Sequence, residues 1–190
     1  MTTGSLIPTL AAACMLMAPA LGAAERCAMN TGSESQAWNS GRKASRLMED
    51  VRRDARTIQD HAATLATFED NSGVHWQSHA AQLRDMKSAV NRMSENLGQL
   101  EAIKSSLPAW QREAIDGAVK TQHMLATETT ASIEMVNAQR DDLWTPQYHN
   151  TVKALYTNSS DLQARIGHVQ ALVKARREER KLETEVNAGM

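Results

Sequence analysis

The histidines are the residues of this chain best suited to chemistry, and three of them flank two short helix boundaries. His75 and His79 stand four apart. On a helix their imidazoles share one face, a turn apart, which is a spacing used for zinc and copper ligation. His149 supplies a third candidate ligand from a later helix, and His61 lies somewhat deeper. The competing reading is structural. His79 falls on an apolar seam, where a core histidine with one ring nitrogen bonded would also sit, while His75 and His149 face water. The His-Glu-x-x-His pattern of metalloproteases is absent.

Two other groupings carry the same ambiguity. His123 and His168 come at nearly equal depth, level with Met48 and Met93. A methionine on a first helix and a histidine on a last one hold haem in b-type cytochrome bundles. Both histidines flank seam positions instead of occupying them, which favours the surface. Cys-x-x-Cys-His is missing, so covalent haem attachment is ruled out, and no Glu-x-x-His pair supports di-iron chemistry. No cofactor is therefore expected. At mid-height Thr129 and Ser159 place hydroxyls on seams, beside Thr127, Thr130, Ser132, Asn158 and Ser160. A ligand-sized cavity is one reading. The other is close helix approach, with the hydroxyls bonded back to their own helix carbonyls. Asn158-Ser159-Ser160 also fits a glycosylation acceptor, an unsuitable one on a helix. No nucleophile elbow, phosphate loop, dinucleotide glycines or recognisable carboxylate pair occurs, so the chain is expected not to be an enzyme.

The elements that must position these residues are long amphipathic helices. From Trp76 the apolar residues His79, Leu83, Met86, Val90, Met93, Leu97, Leu100, Ile103 and Leu107 recur three and four apart, a heptad seam. A preceding seam runs Ala44, Met48, Val51, Ala55, Ile58, Ala62, Leu65, with Phe68 just beyond. A third runs Ile115, Ala118 or Val119, Gln122, Leu125, Thr129, Ile133, Val136, Leu143. A fourth runs Tyr148, Val152, Leu155, Ser159, Leu162, Ile166, Val169, Val173. Asn71-Ser72-Gly73, Ser106-Leu107-Pro108 and Trp144-Thr145-Pro146 separate them, with Thr145 a helix-capping residue and the prolines suited to first turns. The spacing predicts helices over about 36–71, 74–106, 108–143 and 146–184, with 187–190 a tail. Short connections impose antiparallel neighbours. The expected fold is all-α, an antiparallel up-down-up-down four-helix bundle of long helices. Two hairpins completing a bundle by homodimerisation remain an alternative.

Composition agrees. The chain has 190 residues, 21 Lys+Arg against 22 Asp+Glu, and aromatics limited to 4 Trp, 2 Tyr and 1 Phe. Balanced charge gives no reason to expect nucleic acid. Basic residues from Arg42 to Arg56 and from Lys174 to Lys181 gather at one end, interspersed with Glu and Asp. They read as an ion-paired surface, or as a positive end facing an anionic envelope. Residues 1–24 read as a signal peptide: Leu6 to Leu21 is apolar and uncharged, and Gly22-Ala23-Ala24 gives small residues for cleavage. A retained anchor and lipidation at Cys14 are the alternatives. Residues 25–35 read as a polar linker, with Cys27 the one cysteine left after cleavage. No transmembrane segment is expected beyond the leader, and the expected location is secreted or periplasmic.

The segments Val74-His75-Trp76-Gln77-Ser78-His79, Leu107-Pro108-Ala109-Trp110-Gln111-Arg112-Glu113-Ala114-Ile115-Asp116 and Trp144-Thr145-Pro146-Gln147-Tyr148 resemble uncharacterised exported helical-bundle proteins of environmental bacteria. That resemblance covers about residues 35–180. It implies an exported helical bundle and carries over no activity or site residue. The functional expectation is a non-enzymatic interaction or scaffold protein with a protein or cell-envelope partner. The alternatives are a bundle binding metal, a small ligand or haem, with His75, His79 and His149 as metal ligands, and a periplasmic chaperone-like stress protein.

Overall fold

A computed structural model describes residues 22–68, 74–140 and 143–189, with side chains described from residue 39 onward. Residues 1–21 of the expected leader (1–24) and the Asn71-Ser72-Gly73 boundary lie outside the described residues. Four helices carry the chain: α1 (Gly22–Thr67), α2 (Trp76–Ile103), α3 (Ala109–Ala138) and α4 (Pro146–Ala188). A single 3-10 turn, Lys104–Ser106, follows α2. There is no strand among the described residues, and the helices pack together as an all-α four-helix bundle. Contacts divide the chain into two units, Met1–Gln36 and Ala37–Met190, and the bundle is the second.

Cross-helix bonds fix the topology. His61 meets Gln82 and Asp54 meets Arg92, so α1 and α2 run antiparallel. Lys104 pairs with Asp116 across α2 and α3. Glu128 bonds Asn158 across α3 and α4, and Arg176 lies over the Trp110 ring lower on the same pair. Gln59 with Gln163 and Glu49 with Gln170 close α4 back on α1. Each pair descends one helix as it climbs the other, so the bundle is up-down-up-down, with α1 and α3 across one diagonal and α2 and α4 across the other.

The seams are the reason these helices pack. On α1, Ala44, Met48, Val51, Ala55, Ile58, Ala62 and Leu65 are all buried. On α2 the buried line runs His79, Leu83, Met86, Val90, Met93, Leu97, Leu100. Each fully buried large aliphatic side chain contributes about 1.5–3 kcal/mol by leaving water. Near the lower end Met48, Val51, Leu100, Ile115, Leu162 and Ile166 surround a void of about 20 Å³, room for little more than one water in an apolar wall.

Three boundaries and one seam position differ from the sequence expectation, and the first is that α4 runs to Ala188, into the expected 187–190 tail. The backbone is helical from Gly22, so residues 25–35, expected as a linker, belong to α1. α3 stops at Ala138 and not at 143. Leu143 is nevertheless buried, and its own carbonyl accepts from the Thr145 N–H at 2.9 Å. An apolar residue at helical spacing can thus serve as an end plug without being in the helix. On α3 the seam passes through Ser132, leaving Ile133 half-buried in the α2–α3 groove. The caps follow local chemistry. Thr145 Oγ1 accepts from the Tyr148 N–H at 3.2 Å, with Pro146 in the first turn. Pro108 stands one residue before α3, its carbonyl accepting from the N–H groups of Gln111 and Arg112.

Candidate functional site

The upper end of the bundle, where the α1–α2 and α3–α4 connections lie, holds the densest grouping of chemical side chains. Its centre is His79, placed on the α2 seam and 1 % exposed. Tyr148, on the α4 seam across the diagonal, is fully buried. The Tyr148 hydroxyl and His79 Nδ1 share a hydrogen bond of 3.1 Å, its donor set by the imidazole tautomer. Aromatic edges enclose the pair. Phe68 meets His79 at 5.0 Å between ring centres, Trp144 meets His79 at 5.6 Å and Tyr148 at 5.3 Å, all near perpendicular. Such edge-to-face contacts add about 0.5–1.5 kcal/mol each beyond area burial. Outside this layer Arg140 lies over the Trp76 ring at 4.4 Å.

Burial favours the neutral form of both partners. Burial pushes the His79 imidazole below its ordinary value, because a charged ring would lose water without a counter-ion. Burial likewise drives the Tyr148 phenol well above its usual range. A neutral imidazole beside a neutral phenol is thus the favoured state, and both rings are enclosed by the neighbouring aromatics. The pair acts as a polar rivet in an aromatic plug.

The three expected metal ligands are not brought together. His75 is exposed at the residue before α2, His79 is enclosed, and His149 lies half-buried on the other side, facing a groove between α1 and α4. Among the described residues no group of three or more His, Cys, Asp or Glu side chains is placed to hold a metal ion. His75 stands in extended backbone as the residue that precedes α2, so the two histidines do not share a helix face: His79 turns into the core while His75 is exposed. His61 bonds Gln82 through Nδ1 at 2.6 Å. His123 and His168 are exposed while Met48 and Met93 are core residues, so the haem grouping is not assembled either.

The mid-height hydroxyls divide. Ser159 donates back to the carbonyls of Leu155 and Tyr156 at 2.6 and 2.9 Å, and Thr127 and Thr130 do the same on α3. Thr129 Oγ1 and Ser132 Oγ are buried with no partner among the described protein atoms. Beside them Asn158 donates to Glu128 at 2.8 Å, and burial raises the Glu128 carboxyl above its ordinary range against that bond. Close helix packing explains this layer. On α1, burial likewise raises Asp54 although Arg92 pairs with it at 2.8 Å.

Two surface features were not anticipated by sequence. One is a groove of about 320 Å³ between α1 and α4, floored by Ala62, Ala63 and Ala66 and walled by Trp144, Val152 and Tyr156, with Lys153 at its rim. The alanines were legible as seam neighbours, but the gap they leave depends on how far α4 stands off. The other is the lower part of α4. From Lys174 to Gly189 every side chain is exposed, and Leu172, Leu182 and Val186 are 51 %, 61 % and 63 % exposed. The basic end is partly neutralised: Glu49 holds Arg52 at 2.8 Å and Asp50 holds Arg53 at 2.7 Å.

Compared with known proteins, the chain matches no family model, no curated protein and no solved structure.

Proposed function

We propose that this protein is an exported, non-enzymatic helical bundle that works from its outer surface, as an interaction or scaffold protein of the cell envelope. One observation carries the reading. Among the described residues the seams of the bundle are buried and the His79–Tyr148 pair is enclosed at the upper end, whereas large apolar side chains stand in solvent on α4. Exposed apolar residues that recur along one face mark association surfaces more often than chance exposure does. No helix among the described residues is long and apolar enough to cross a membrane. The composition of residues 1–24 supports export.

Two measurements test this. The mass of protein recovered from the envelope or medium is expected to correspond to a chain beginning at Glu25, and an intact leader on all recovered protein would contradict cleaved export. The melting temperature is expected to stay unchanged when zinc, copper or haem is added. A rise of several degrees with any of them would overturn the surface reading in favour of an interior-ligand carrier.

A second reading has the α1–α4 groove in its favour. Its volume lies at the lower edge of small-ligand sites, about 300–1,000 Å³. Ala63→Leu would fill the floor, and a small-ligand carrier predicts that this variant loses binding of an apolar dye that the parent protein retains.

A further inference from the structure

The inner seam of α4 runs Leu155, Ser159, Leu162 and Ile166, continues through half-buried Val169 and Val173, and then meets Arg176 and Arg180. The apolar pattern does not stop there. It changes face. Leu172, Ala175, Leu182 and Val186 follow one another at steps of three, seven and four, and all are exposed. At about 100° per residue they centre roughly 145° around the helix from the inner seam. Upstream, exposed Ala164, His168 and Ala171 continue the same line. This is a stripe turned away from the bundle that α4 belongs to, about 33 Å long from Ala164 to Val186.

Its charges are arranged in halves. Residues 165–177 carry Arg165, Lys174, Arg176 and Arg177 and no carboxylate. Residues 178–188 carry Glu178, Glu179, Glu183 and Glu185 against Arg180 and Lys181. A second copy of the stripe laid antiparallel sets each basic half against an acidic half. A parallel copy sets like against like, which costs stability and discriminates against that arrangement. Two-fold pairing of Leu172 with the partner's Leu182 brings Ala175 opposite the partner's Glu179, near the axis. The same register brings Arg176 within one residue's rise of the level of the partner's Glu179, and by symmetry each such pair occurs twice.

We propose that residues 164–186 of α4 form a self-association seam on which a second copy of this chain lies antiparallel. The proposal rests on the surface-interaction reading above and names its partner. Two helices meeting over this length make a small interface, at the transient end below about 1,200 Å², so the dimer is concentration-dependent and weakens with added salt.

The test is sedimentation equilibrium of the purified chain and of Leu182→Glu with Val186→Glu, run at low and high salt. Both substituted side chains are solvent-exposed, so helicity and melting of a dilute sample are expected to be preserved. The expected result is a dimer whose dissociation constant rises at least tenfold in the variant and also rises with salt. A second arm fixes the orientation. With Cys14 and Cys27 replaced by serine, spin labels at Asn187→Cys are expected about 30 Å apart in the antiparallel dimer. A monomer at all concentrations, a dimer untouched by the double substitution, or labels within about 15 Å would overturn the proposal. A monomer would leave the surface reading standing, since that reading fails only on the leader and ligand measurements above.

Discussion

α4 is one unbroken helix with two different relations to its surroundings. From Tyr148 to Ile166 its seam faces three other helices, and every seam residue is buried. From Lys174 onward nothing on it is buried, and its large apolar residues point the opposite way. The difference teaches that helical continuity and core membership are separate properties. The first half is held by packing. The second needs another source of stability, since short helical segments without packing are marginal in water.

Truncations measure the contrast most strongly. Leu162→Ala removes a fully buried side chain and is expected to cost about 2–5 kcal/mol in denaturant titration, against less than about 0.5 kcal/mol for Leu182→Ala in dilute solution. Equal costs for the two would erase the distinction between the halves.

The plug at the start of α4 gives the next effect. His79→Leu leaves the buried Tyr148 hydroxyl unpaired and is expected to cost about 1–3 kcal/mol. Adding Tyr148→Phe removes the stranded group, so the double variant regains most of the loss. A double variant less stable than the single one would mean that the pair contributes through shape and not through its hydrogen bond. The same pair has a pH signature. Burial lowers the folded-state affinity of His79 for a proton, so the unfolded chain binds it first as pH falls. Stability from this group is whole above about pH 6.5 and is lost as pH drops from there through the folded value. The melting temperature of the His79→Leu, Tyr148→Phe protein is therefore expected to fall less between pH 7.5 and 5.5 than that of the parent. An identical fall in both would contradict the assignment.

Smaller effects sharpen the picture from the α3 side and from the junction. Ser132→Ala removes a buried hydroxyl without a protein partner and is expected to stabilise by up to about 1 kcal/mol, and a loss would show that the hydroxyl is satisfied. Gly167 lies where the apolar pattern of α4 passes from the inner seam to the outward stripe, with nothing within 4 Å of an added Cβ. Gly167→Ala is expected to raise stability by about 0.5–1 kcal/mol through helix propensity, and a lower melting temperature would point to a bend that α4 requires there.

The seams, the four helices and the Thr145 cap were legible because each is local: a period of three and four, or one hydroxyl before a proline. The layer containing His79, Tyr148 and Trp144 was legible too, as residues at one depth. Its chemistry was not. Whether His75 and His79 share a face depends on where α2 starts, and it starts one residue after His75, while the rotation that buries His79 is set by partners on other helices. Leu143 misled for a related reason, since a periodic apolar position does not distinguish the last turn of a helix from a chain folded over its end. The helical state of residues 25–35 runs against a composition of small polar residues.

The most direct test is amide hydrogen exchange along α4 at low and high protein concentration. Amides from about 150 to 169 are expected to be protected to the same degree at both, as part of the bundle core. Amides from about 176 to 188 are expected to exchange readily in dilute solution and to gain protection on concentration, as the outward stripe finds its second copy. Protection of 176–188 that matches the upper half and ignores concentration would contradict the account.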